Sequence, residues 1–101
     1  MAQVTLPRLA GTREAVTDLF EAQAISPRLS GDMLVVLGRE LASGSTSFAD
    51  ELVKVAIVDR GADELVLVGA PGRFIEHVQG AAQRRHVADR VKVRSAAEAG
   101  I

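Results

Sequence analysis

Met33-Leu34-Val35-Val36-Leu37, closed by Gly38, and Leu65-Val66-Leu67-Val68, closed by Gly69, decide the fold. Both are unbroken apolar runs of strand length. Neither alternates polar with apolar residues, so each is expected to be buried on both faces, as in parallel strands covered by helices. Between them Phe48, Leu52, Val55, Ala56 and Asp59 recur at helical spacing, which predicts a helix over 47–60 with Gly61 as its stop.

The pattern extends outward in both directions. Pro71 suits a first helical turn, and Phe74, Ile75, Val78 and Ala82 form the next apolar stripe. Val91-Lys92-Val93-Arg94 alternates and reads as an edge strand with one wet face, followed by a short terminal helix over Ser95–Ala99. Upstream, residues 3–6 are a short strand ended by Pro7. Ala15, Val16, Leu19 and Phe20 then mark a helix that Thr12 is placed to cap. The expected order is β-α-β-α-β-α-β-α: a single α/β domain over residues 1–101, with a mostly parallel four-stranded sheet and right-handed crossovers. Ligands of such sheets bind at the carboxyl ends of the strands, here the loops 38–47 and 69–72.

Composition narrows the function classes. Of 101 residues, 48% are apolar but only three are aromatic, all Phe, so the core is expected to be mainly aliphatic and the composition argues against a base-stacking platform. The absence of Cys removes disulfides, thiolate catalysis and cysteine metal sites. No secretory leader or membrane-length apolar run is present, so the expected address is cytoplasmic, without a membrane partner. Residues 1–72 carry a net −4 and residues 73–101 a net +3, a gradient that fits a protein partner better than nucleic acid.

The loop Gly38-Arg39-Glu40-Leu41-Ala42-Ser43-Gly44-Ser45-Thr46-Ser47 leaves a buried strand and runs into Phe48-Ala49-Asp50-Glu51-Leu52. Ser47, with Asp50 three residues on, approaches a capping box, and Asp50 and Glu51 complement the positive helix end. Phe48, heading the apolar stripe, is expected in the core, with a partly exposed docking anchor as the alternative.

These elements, most visibly residues 32–79 but also the helix over 12–22 and the strand and helix over 91–99, resemble over nearly the whole chain the STAS-like domain family, small relatives of sulfate transporter and anti-sigma factor antagonist domains. The most specific element is Ser47-Phe48-Ala49-Asp50-Glu51-Leu52. The resemblance implies a non-enzymatic switch without cofactors. Its implied partner is a histidine-kinase-like ATPase of the anti-sigma factor type, released when a serine at the start of that helix is phosphorylated. By position that serine is Ser47, with Ser45 and Thr46 as neighbours. Phe48, Asp50 and Glu51 complete the implied docking surface. Many relatives carry Asp after the first strand and before the serine pair, where this chain has Gly38 and Ser45-Thr46.

Other chemistries have less to stand on. His77 and His86 are nine residues apart with no third ligand in view, which argues against a metal. Gly69-Ala70-Pro71-Gly72 is not a phosphate loop, because Pro71 lacks an N–H and no Gly-Lys-Ser/Thr follows. Arg84, Arg85, Arg90, Lys92 and Arg94 read as a solvated basic face, with nucleic acid a minority alternative. A small-ligand or nucleotide-binding α/β module at the strand ends is the alternative of a different class.

Overall fold

A computed structural model describes residues 1–95 and Ala97. Four strands, β1 (Ala2–Thr5), β3 (Met33–Leu37), β5 (Glu64–Val68) and β6 (Val91–Arg94), form one sheet in the order β1-β3-β5-β6, and every pairing is parallel. Two further segments, β2 (Leu9–Ala10) and β4 (Ser43–Gly44), pair parallel as a separate ledge. Helices α1 (Glu14–Ala22), α2 (Thr46–Val53) and α3 (Gly72–Arg84) connect the strands of the main sheet. The α/β single-sheet architecture therefore matches the expectation. The terminal helix expected over Ser95–Ala99 lies outside the described residues.

The strands are added in chain order across the sheet, always in the same direction. With right-handed crossovers, that order places every connecting helix on one face. The packing agrees: α2 lies between α1 and α3. Val16 and Phe20 of α1, Phe48, Leu52 and Val53 of α2, and Phe74 and Val78 of α3 share a core with Val4, Leu34, Val36, Leu65 and Leu67 of the sheet. The side chains of the other parity, among them Met33, Val35, Leu37, Val66 and Val68, lie outside that core cluster. No described helix covers this second face. Val35 and Val68 on this face are nonetheless buried, while Met33, Leu37 and Val66 are partly exposed, so the expected burial of β3 and β5 on both faces holds in part. Period-two geometry sends alternate residues to opposite faces, and here only one of them meets the helices.

Helix α2 is buried over a wide arc because it has neighbours on three sides. Past Val53 it widens into a π-helical run, Lys54–Asp59, where the Arg60 N–H donates to the Val55 carbonyl at 2.9 Å. The extra residue in that turn accompanies three consecutive buried side chains, Val55, Ala56 and Ile57, where an α-helical stripe would interleave polar ones. Asp59, placed on the apolar stripe by its spacing, is instead exposed and pairs with Lys54 at 2.8 Å.

Thr12 caps α1 through its hydroxyl, which accepts from the Ala15 N–H at 3.2 Å. Pro71 is the residue before α3 rather than part of its first turn. Gly38 ends β3 where the chain crosses Ala70 so closely that a Cβ would stand 2.7 Å from the Ala70 Cβ.

The outer edge of β1 is closed by a side chain. The Thr5 N–H donates to Gln23 Oε1 at 2.8 Å, and Gln23 Nε2 donates to the Thr5 carbonyl at 2.7 Å. One amide thus occupies both outward backbone groups of Thr5, a common way of blunting an edge. Gln23→Ala is expected to cost about 1 kcal/mol and to increase concentration-dependent association, measured by urea unfolding and light scattering. Unchanged values in both would show that the amide pair is dispensable.

Candidate functional site

Three segments meet at the carboxyl ends of the strands: 8–11, 38–47 and 71–74. The first two are stitched together by backbone bonds. The Arg8 carbonyl accepts from the Ala42 N–H at 2.8 Å, and the Ala10 carbonyl accepts from the Ser45 N–H at 2.9 Å. Two of the ten residues of the expected loop 38–47, Ser43 and Gly44, are therefore held as a strand, β4, against β2. Gly44 is required there, because a Cβ would stand 2.5 Å from the Phe74 ring.

The cap of α2 is Ser45, and this corrects the assignment to Ser47. The Ser45 hydroxyl accepts from the Phe48 N–H at 3.0 Å and donates to the Gly11 carbonyl at 3.0 Å. Both of its hydrogen-bonding capacities are used inside the fold. Thr46 and Ser47 follow as the first two helical residues, Thr46 exposed and Ser47 half-buried. No side-chain hydrogen bond of either is found among the described residues.

Phe48 is fully buried, its ring centroid 6.2 Å from that of Phe74 at a 47° tilt. It is a core residue, and the alternative of an exposed anchor does not hold. Asp50 and Glu51 lie beyond the first turn of α2 and do not serve its dipole. Asp50 instead ties the three helices together. Arg85 donates to it twice, from Nε at 3.1 Å and from Nη2 at 2.8 Å, and Arg13 donates from Nη1 at 2.8 Å. Arg13 also reaches Glu51 at 3.4 Å. The Arg85 hydrogen bonds, reinforced by Arg13, hold the Asp50 carboxyl down to about 2.

Sequence reasoning overlooked one residue of this region. Leu9, on β2, is 71% exposed beside Ser43, with Arg8 on the same ledge. A lone Leu between Arg8 and Ala10 carries no periodic signal, and only the pairing of β2 with β4 brings it to the site.

Several open hollows flank the ledge, among them one of about 500 Å³ lined by Arg8, Glu40, Leu41 and Ala42 and two more. Of these two, one, of about 440 Å³, is lined by Thr5, Leu37, Arg39 and Glu40; the other, of about 350 Å³, lies among Ser43, Gly44, Pro71, Arg73 and Phe74. No polar or charged side chain among the described residues is buried, so none of these hollows has the convergent, desolvated polar groups of a small-molecule site. No group of three His, Asp or Glu side chains among the described residues is arranged to hold a metal ion, and no described helix is long and apolar enough to cross a membrane. No family model, curated protein or solved structure matches the chain.

Proposed function

We propose that this domain is a phosphorylation-controlled docking module that binds a histidine-kinase-like ATPase through the β2–β4 ledge and the start of α2, and performs no chemistry of its own. The observation that supports the reading most directly is the arrangement at the α2 amino end. Ser45 is committed to capping, and Thr46 and Ser47 stand next to it with hydroxyls uncommitted to the fold. The STAS-like pattern of residues 32–79 supports the same reading.

Each position has a different consequence. In the switching step the hydroxyl oxygen of Thr46 or Ser47 takes the γ-phosphoryl group of ATP, ADP leaves, and the hydroxyl proton is released to solvent. The product adds about −1.5 to −2 charges at neutral pH. The helix end tolerates that charge, because its free N–H groups favour anions. A partner surface fitted to the uncharged hydroxyl does not. Phosphorylation of Ser45 would instead break the cap and its bond to Gly11, so it would act on the fold. Leu9 supplies the exposed apolar contact, and its neighbours on the ledge are small: Ala10, Ala42, Ser43 and Gly44.

The test is calorimetric titration with histidine-kinase-like ATPases of the anti-sigma factor type from the same organism. Thr46→Asp or Ser47→Asp is expected to weaken binding by at least about tenfold, near 1.4 kcal/mol, while the matching Ala variants bind normally. Leu9→Asp is expected to abolish binding with Tm unchanged. Normal binding by all of these variants would remove the ledge from the interface.

A further inference from the structure

The rim at the carboxyl ends of the strands carries a row of cations that the fold does not use. Three hollows follow one another along residues 39–44. The first holds Arg39 and shares Glu40 with the second, the second holds Arg8 and shares Ala42 with the third, and the third holds Arg73. All three arginines are exposed. No hydrogen bond or ion pair of their side chains is found among the described residues, whereas Arg13, Arg60, Arg85 and Arg90 are each bonded into the fold. Glu40 is the one carboxylate lining these hollows, and it is paired with none of the three.

Two residues of this rim run against local stability. Arg73 is the second residue of α3, where the positive helix end disfavours a cation, and no acid in that first turn offsets it. Leu9 is 71% exposed. Its neighbour on β2, Ala10, is buried, so alternation along the strand points Leu9 outward, and its register partner Ser43 lines the third hollow. Local costs with no compensation inside the fold are characteristic of functional surfaces.

Shape, charge and ring content select the occupant. One arginine in each of three hollows does not converge on a single phosphate or carboxylate as a small-molecule site would. A chain carrying its acids at intervals meets all three, and guanidinium forks take carboxylates in paired hydrogen bonds. Glu40, between the first two arginines, repels a ligand charged at every position, such as a nucleic-acid backbone. All three Phe rings are buried, so none can stack on a base. We infer that this row receives an extended acidic segment of the partner protein. Its carboxylates meet Arg39, Arg8 and Arg73, a lysine or uncharged residue faces Glu40, and an apolar side chain lies on Leu9. The inference rests on the docking reading of the ledge and adds the chemistry of what docks. It also gives phosphorylation a direct target. On Thr46 or Ser47, two or three residues beyond Gly44, the phosphate repels the segment's carboxylates and competes for the arginines.

The probes are two short synthetic peptides that alternate leucine with a charged residue, glutamate in one and lysine in the other, and a single-stranded thymidine oligonucleotide. Backbone amide shifts report where each binds. The glutamate peptide is expected to move the amides of Arg8, Leu9, Arg39, Ala42, Ser43 and Arg73. It is expected to bind at least about tenfold more tightly than the lysine peptide and to weaken with added salt. Arg8→Glu, Arg39→Glu and Arg73→Glu combined are expected to reverse the preference with Tm unchanged, because no bond of the fold is lost. Titrated with the ATPase, the same triple variant is expected to bind at least about tenfold more weakly. The inference is overturned if the glutamate peptide moves none of these amides or if the triple reversal leaves the preference as it was. It is equally overturned if the oligonucleotide binds more tightly than the glutamate peptide, because nucleic acid is then the occupant. An ATPase that binds the triple variant normally while Leu9→Asp abolishes its binding overturns the arginine row and leaves the docking reading standing. Glutamate-peptide binding that the triple variant reverses, with no ATPase bound by the native protein, upholds the row and rejects the ATPase as the partner.

Discussion

Phe48→Ala is expected to leave the domain close to unfolding at room temperature, with Tm lowered on the order of 15–25 °C. The side chain is fully buried where α2 meets α3, against Phe74. Truncating a phenylalanine in such a position removes its transfer free energy and leaves a cavity, together about 3–5 kcal/mol. The tilted ring pair adds about 0.5–1.5 kcal/mol that alanine cannot replace. Small domains of this length have on the order of 5–10 kcal/mol in total, and here only three aromatic rings serve the whole core. Phe48→Leu, which keeps most of the volume, is expected to cost less than about 1.5 kcal/mol. Circular dichroism melts of the two variants check both values. A normal melt for Phe48→Ala coupled to lost partner binding would place the ring at the surface and contradict its burial.

The parts of the fold that could be read in advance are those whose signal is local. Met33–Leu37 and Leu65–Val68 announce themselves as apolar runs, Val91–Arg94 as an alternating edge, and Thr12 as a cap. What could not be read depends on residues far apart in the chain. An unbroken apolar strand looks the same whether its second face meets helices or, as for Met33, Leu37 and Val66, stays partly exposed. Ser45, Thr46 and Ser47 are all competent caps. The choice falls on Ser45, whose hydroxyl also reaches the Gly11 carbonyl, 34 positions away. The two-residue strands Leu9–Ala10 and Ser43–Gly44 are too short for a periodic pattern, although their pairing shapes the candidate site. The π-helical turn likewise left no local mark, and its widening moved Ile57 into the core and Asp59 out of it.

Asp50 is the other case in which distance hid the role, and it carries the second large effect. Its main partner, Arg85, lies 35 residues downstream at the end of α3, and Arg13 lies at the start of α1. The carboxylate is mostly shielded, with 15% of its side chain exposed, against 28% for Arg85 and 48% for Arg13. A carboxyl held at about 2 instead of 3.8 stabilises the folded state by on the order of 2 kcal/mol. Solvent around the half-exposed Arg13 trims that figure. Because the folded value is the depressed one, the contribution is fully present above about pH 4 and is lost as the pH falls from there through about 2. Asp50→Asn is therefore expected to lower stability by about 1–2 kcal/mol at pH 7 and to flatten the fall in stability between pH 4 and 2. Asp50→Ala should cost somewhat more, since it leaves Arg85 without its carboxylate and Arg13 with Glu51 alone. Urea unfolding of the native protein and Asp50→Asn across pH 2–7 measures this. Parallel curves for the two proteins would mean that the three helices are held by apolar packing alone.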